Sequence, residues 1–188
     1  EKEYKLAYEA NVNQTEKIAK WCSKEVKLVY ISTDQVYGGS KDHSEKNTNL
    51  RPLNQYGKTK LQGELKVQEL SNDSIIVRTN IFGWNIKPTR VSSAEWIYNS
   101  LKNGKGIRLF TDYMISPIYT KELAIIIIRL LEMDFSGIVN VGSSKTCTKY
   151  EFGRRLAENF NFDNSLIRKG SIKEHNFQAP RPEDLSLS

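Results

Sequence analysis

The run Lys27-Leu28-Val29-Tyr30-Ile31-Ser32 most constrains what this chain can fold into. It is short, rich in β-branched and aromatic side chains, and shows little polar alternation. Successive side chains of a strand point to opposite faces, so a strand that is apolar on both needs protein over both, as in a parallel sheet. Ser74-Ile75-Ile76-Val77-Arg78-Thr79 is a second run of this kind, and Gly137-Ile138-Val139-Asn140-Val141 reads as a further strand. Helical patterns separate them. Leu6, Ala7, Ala10, Ile18, Ala19 and Cys22 recur at three-and-four spacing and predict a helix from Glu3 to about Ser23. A second helix runs from Tyr56 to about Leu70. Ser92-x-x-Glu95 and Thr148-x-x-Glu151 are capping boxes for helices reaching about Lys102 and Phe160. Thr120 is the expected cap of a strongly apolar helix through Leu131. Gly106–Phe110, leading into Pro117-Ile118-Tyr119, and Ile167–Ile172 complete the expected strands. Strands alternating with helices predict an α/β fold with a mainly parallel sheet. Ligands of such sheets bind at the carboxyl ends of strands. That rule singles out Ser32-Thr33-Asp34, Asn80-Ile81-Phe82 and Gly142-Ser143-Ser144.

Composition excludes some functions. The net charge of +6 comes from lysines scattered along the 188 residues, with no basic tract and no interleaved aromatic platform, so nucleic acid is not the expected partner. A mild positive bias suits a small anionic ligand such as a nucleotide diphosphate. The longest apolar run, Leu123–Leu131, is interrupted by Arg129 and reads as a buried helix whose Ile125–Ile128 segment is core, not a membrane span. Cys22 and Cys147 lie far apart without metal-type spacing and read as buried, reduced thiols of a cytoplasmic protein. His43 and His175 have no partners at ligand spacing and read as surface residues, and Glu45 as a solvated loop carboxylate.

Tyr56-Gly57-Lys58-Thr59-Lys60-Leu61-Gln62-Gly63-Glu64 places a tyrosine and a lysine four apart at the start of a helix, one turn apart on one face. A phenol titrates near pH 10, and a nearby ammonium favours the phenolate. Thr33, at the end of a strand, would point its hydroxyl into the same crevice. A hydroxyl, a phenol and an ammonium suit carbonyl reduction: two hydroxyls polarise the carbonyl oxygen and the phenol protonates the developing alkoxide.

Ile31-Ser32-Thr33-Asp34-Gln35-Val36-Tyr37-Gly38, followed by Pro52-Leu53-Asn54-Gln55 and the Tyr56–Glu64 run, resembles the extended short-chain dehydrogenase/reductase family, and within it the dTDP-4-dehydrorhamnose reductases. Asn11-Val12-x-x-Thr15, Val77-Arg78-Thr79 and Arg181-Pro182 add to the resemblance. It implies a Rossmann-like, mainly parallel sheet: residues 1–84 the C-terminal part of an NAD(P)-binding domain, and 85–188 mostly a small α/β substrate-binding portion, with about 110–142 returning to the main domain. It implies that Thr33 is the catalytic hydroxyl and Tyr56 the general acid. Lys60 would tune that phenol and hold the ribose of NADP or NAD. Asp34, Asn80 and Ile81 would line the cofactor and sugar, although rhamnose reductases often carry Trp at the Ile81 position. Arg181 would help hold the diphosphate of a nucleotide-sugar. Homodimer assembly is left open. No G-x-x-G-x-x-G turn for a dinucleotide pyrophosphate is present. The chain therefore reads as a piece of a longer enzyme, inactive by itself. Alternatives within the same family are a 4-epimerase or a dehydratase. Dehydratases usually carry Asp-Glu after the threonine, where this chain has Asp34-Gln35, and a glutamine cannot take a proton. A non-catalytic relative, as in regulatory subunits of methionine adenosyltransferase, is the third reading.

Overall fold

The computed structural model describes residues 2–22, 26–38, 40–86 and 90–188. Ser23 and Gly39, where the sequence suggests a helix end and a loop glycine, lie outside them. The first helical region is continuous but not uniform. Helices α1 (Lys2–Tyr8) and α2 (Gln14–Cys22) are joined by a π-helical turn, Glu9–Asn13, flanked by residues in the right-handed helical region. The extra residue per turn swings Asn11 toward α3 (Gln55–Leu70), where its amide donates to Thr59 Oγ1 at 3.0 Å.

The main sheet is parallel. Strand β1 (Leu28–Ile31) pairs with β2 (Ser74–Phe82) from Leu28 opposite Ser74 to Ile31 opposite Val77. Strand β6 (Gly137–Val141) pairs with Ile75–Thr79 of β2, and β5 (Pro117–Tyr119) with Asn80–Phe82. Both faces are covered, as the unalternated strands require. On one face Tyr30 and Ile76 pack with Ala19 of α2 and Val67 of α3. On the other, Ile75, Val77 and Val141 pack with Leu123, Ile126 and Ile127 of α5 (Thr120–Glu132).

A second hydrophobic cluster joins α4 (Ser93–Lys102), β3 (Ile107–Phe110), α6 (Lys149–Asn159) and β8 (Ile167–Gly170), with Ile97, Leu101, Leu109 and Leu156 at its centre. Strands β3 and β8 pair in parallel. Both predicted capping boxes form: Ser92 with Glu95, and Thr148 with Glu151. Three two-residue strands escape the sequence pattern. β4 (Met114–Ile115) pairs with β7 (Cys147–Thr148) antiparallel and with β9 (Asp184–Leu185) in parallel, tying the C-terminal segment to the body.

Three expectations are corrected. Helix α5 is not wholly core: Ile125 and Ile128 are 52% and 54% exposed, because only one face of the helix meets the sheet. Thr120 is inside α5 rather than capping it, and Tyr119 at the cap position makes no side-chain cap bond. His43 is buried, with ring nitrogens 2.6 Å from the Ser186 carbonyl and 3.1 Å from that of Ser40. No helix among the described residues is long and apolar enough to cross a membrane.

Candidate active site

Thr33 leaves β1 with extended backbone (φ −146°, ψ 152°), and its side-chain oxygen accepts the Gln35 N–H at 3.2 Å. That cap turns the chain into a short 3₁₀ segment, Asp34–Val36, at the carboxyl end of the strand. The Thr33 hydroxyl donates to Asp34 Oδ1 at 3.0 Å, and the Asn80 amide of β2 donates to the other carboxylate oxygen. Helix α3 starts against this turn. Asn54 caps it by accepting the Gly57 N–H at 2.9 Å, and its own amide donates to Gln35 Oε1 at 3.0 Å. Position 57 must be glycine for this approach, since a Cβ there would lie 2.7 Å from the Gln35 carbonyl oxygen.

These contacts shape a cavity of about 870 Å³ at the carboxyl ends of β1 and β2. Thr33, Asp34, Tyr56, Asn80, Ile81 and Arg181 all line it, drawn from four separate parts of the sequence. Tyr56 stands half exposed at its edge and meets the Thr33 hydroxyl. Lys60 sits one turn along α3, behind the wall. Its Nζ donates to the Ile31 carbonyl at 2.7 Å and lies 4.0 Å from the Tyr30 ring centroid. The third strand end, Gly142-Ser143-Ser144, opens instead into a separate cavity of about 880 Å³ on the α5 side, walled by Phe82, Trp84, Phe152 and Phe160.

Burial dominates the electrostatics. Desolvation pushes the Asp34 carboxyl up to about 6 against the opposing hydrogen bonds from Asn80 and Thr33 and the charge of Lys149. It brings the Lys60 ammonium down to about 8, opposed by Glu64. It raises the Tyr56 phenol, which the Thr33 contact lowers and the Asp34 charge raises further. The spacing argument expects Lys60 to depress the phenol. In this geometry the ammonium is turned to the Ile31 carbonyl and the phenol to Thr33, so burial decides the direction.

Sequence reasoning passes over several wall residues. Gln35 Nε2 donates to the Tyr113 hydroxyl at 3.2 Å, and Asn54 Nδ2 donates to the Pro180 carbonyl at 3.4 Å, the latter strapping the far C-terminal segment to the cavity. Gln178 and Ala179 of that strap line the cavity, with Tyr4 and Ala7 of α1. No local pattern marks these residues except Asn54, whose residue type just before the Tyr56 helix suits an N-cap. Among the described residues no cluster of His, Cys, Asp or Glu could hold a metal ion.

Comparison with known proteins places the chain. The spore coat polysaccharide biosynthesis protein SpsK of Bacillus subtilis is 30% identical over 161 residues, which cover 85% of this chain and 55% of that protein. The dTDP-4-dehydrorhamnose reductase of Mycolicibacterium smegmatis is 28% identical over 193 residues, covering 100% of this chain and 58% of the relative. The chain thus spans little more than half the length of these curated relatives. The crystal structure of dTDP-4-dehydrorhamnose reductase from Bacillus anthracis, in complex with NADP, superposes with a TM-score of 0.90 at 29% identity, covering 100% of this chain and 66% of that one. The parallel sheet with helices on both faces is their Rossmann-like fold. The family model described as the RmlD substrate binding domain matches residues 1–188, and the chain belongs to that family.

Proposed function

We propose that the protein reduces the 4-keto group of a nucleotide-sugar with NADPH or NADH. The observation that carries this reading is the convergence of Thr33, Asp34, Tyr56, Asn80, Ile81 and Arg181 on one cavity at the ends of parallel strands. The residues present suit the nicotinamide-ribose end of the cofactor: two hydroxyls, the Asn80 amide, and an ammonium held at the Ile31 carbonyl, itself on the cavity wall. When bound, a reduced nicotinamide supplies the hydride. The hydroxyls of Thr33 and Tyr56 hydrogen-bond the substrate carbonyl oxygen and polarise it. Tyr56 gives its Oη proton to the alkoxide oxygen as charge develops there. Lys60, one turn away and turned to the Ile31 carbonyl rather than to Tyr56, offers its ammonium to a ribose hydroxyl at that strand end. Arg181 on the strap faces the same cavity and suits the diphosphate.

The test is oxidation of NADPH by the full-length protein in the presence of dTDP-4-keto-6-deoxy-L-mannose, read as loss of absorbance of the reduced nicotinamide. Tyr56→Phe keeps the ring but removes the proton, so turnover falls by at least about 100-fold. Unchanged turnover in that variant sinks the mechanism. Substrate consumption without net cofactor oxidation identifies an epimerase instead.

A further inference from the structure

Tyr56, Lys60 and Glu64 are spaced by four along α3 and so stand one above another on one face of the helix. Each engages a different point at the end of β1. Tyr56 meets the Thr33 hydroxyl, Lys60 Nζ donates to the Ile31 carbonyl at 2.7 Å, and the Ser32 hydroxyl donates to Glu64 Oε1. Glu64 is in turn gripped by Arg78 of β2. Arg78 Nε lies 3.1 and 3.2 Å from the two carboxylate oxygens, and Nη2 lies 2.7 Å from Oε2. Arg78 Nη1 donates to the Tyr37 hydroxyl at 2.9 Å, and that hydroxyl donates to Asn140 Oδ1 at 3.0 Å. Glu64 is 1% exposed and Arg78 2%.

Burying such a pair rarely stabilises a fold more than apolar residues of the same volume would, because both ions lose their hydration. Its position gives it another use. Lys60 loses hydration in the same region, and Glu64 is the group whose charge opposes that loss. The other charged group facing this region is Arg78 of β2, which is taken up by Glu64, and the other titratable groups around Lys60 are Tyr30 of β1 and Tyr56 of α3. Desolvation raises both phenols, so near pH 8 they are neutral and supply no counter-charge. Thr33 follows directly on the Ser32 that Glu64 holds.

We propose that Glu64 is a positioning residue: through Ser32 and Arg78 it fixes the strand end that carries Thr33, and its charge keeps the Lys60 ammonium at the Ile31 carbonyl. What Thr33 and Lys60 then do rests on the reductase reading; the anchoring does not. Two variants separate the parts in the full-length protein. Glu64→Gln keeps the shape and an acceptor for Ser32 but removes the charge. The Lys60 titration, followed by NMR of ¹³C-dimethylated lysines and assigned with Lys60→Arg, then moves down by about one pH unit. Should that variant fail to fold, Glu64→Leu with Arg78→Met removes both members of the buried pair, so neither is left uncompensated, and moves the same midpoint in the same direction. Ser32→Ala removes the tie and keeps the charge. In the keto-sugar assay kcat falls about tenfold or more while KM for the nucleotide-sugar stays within about twofold. A merely structural role lowers the melting temperature and moves neither readout. An unmoved Lys60 midpoint, or wild-type kcat in Ser32→Ala, overturns the proposal. The Lys60 titration needs no substrate, so it decides whether the Glu64 charge holds the ammonium even where the wild-type protein turns over no keto-sugar.

Discussion

Asp34→Asn tests the burial argument directly. The carboxyl is 2% exposed and its pKa is pushed from 3.8 up to about 6, chiefly by desolvation. The folded protein therefore holds this proton more tightly than the unfolded chain. That benefit is complete below about pH 4 and is lost as the pH rises through about 6. The gap, at about 1.4 kcal/mol per pH unit, is worth about 3 kcal/mol. With so little exposure, solvent screening takes little from that figure. Asparagine cannot ionise and so escapes the penalty. Its carbonyl oxygen still accepts from Asn80, and the Thr33 hydroxyl turns to accept from the new amide, so the exchange of hydrogen bonds costs up to about 1 kcal/mol at every pH. Urea unfolding of parent and variant between pH 4 and 7.5 isolates the pH-dependent part. The stability of Asp34→Asn relative to the parent rises by about 2 kcal/mol between about pH 4 and 7. A difference that stays flat within about 0.5 kcal/mol refutes the claim that desolvation sets this carboxyl.

Two further perturbations probe the scaffold. A Cβ at Gly63 would sit 2.3 Å from the Tyr30 hydroxyl oxygen and 2.4 Å from the Asn11 carbonyl oxygen. Gly63→Ala therefore loses about 1–3 kcal/mol by overpacking, despite its better helix propensity, and a thermal melt at or above the parent's contradicts the tight approach of α3 to β1 and to the Glu9–Asn13 turn. Asn54→Ala removes the α3 cap together with the ties to Gln35 and Pro180, costing about 1–2 kcal/mol in denaturant unfolding. It also speeds amide hydrogen exchange around Ala179, and unchanged exchange there shows that the strap is held by other contacts.

Much of the architecture could be read from local chemistry. The unalternated runs at Leu28–Ile31 and Ser74–Thr79 required cover on both faces, and α2, α3 and α5 supply it. Ser92 with Glu95 and Thr148 with Glu151 marked helix starts because a cap is completed within four residues. Tyr56, Lys60 and Glu64 stood on one face because the helix repeat puts them there. Where local rules were silent, the reading failed. The two-residue strands β4, β7 and β9 carry too few side chains to show a period. His43 seemed a surface residue because its partner, the Ser186 carbonyl, lies 143 residues away.

The sequence by itself determined the α/β order, the two capping boxes at Ser92 and Thr148 and the spacing of the Tyr56 run, since each depends on residues within a turn or a strand of one another. Only the tertiary structure decided which strand ends share a cavity: Thr33 and Asn80 converge, while Gly142-Ser143-Ser144 face elsewhere. It also decided that Asp34 is buried under an amide from β2, that Lys60 turns to β1 instead of Tyr56, and that a segment near residue 180 closes the wall. Those outcomes follow from desolvation and hydrogen-bond partners brought in by distant parts of the chain, which no local pattern encodes.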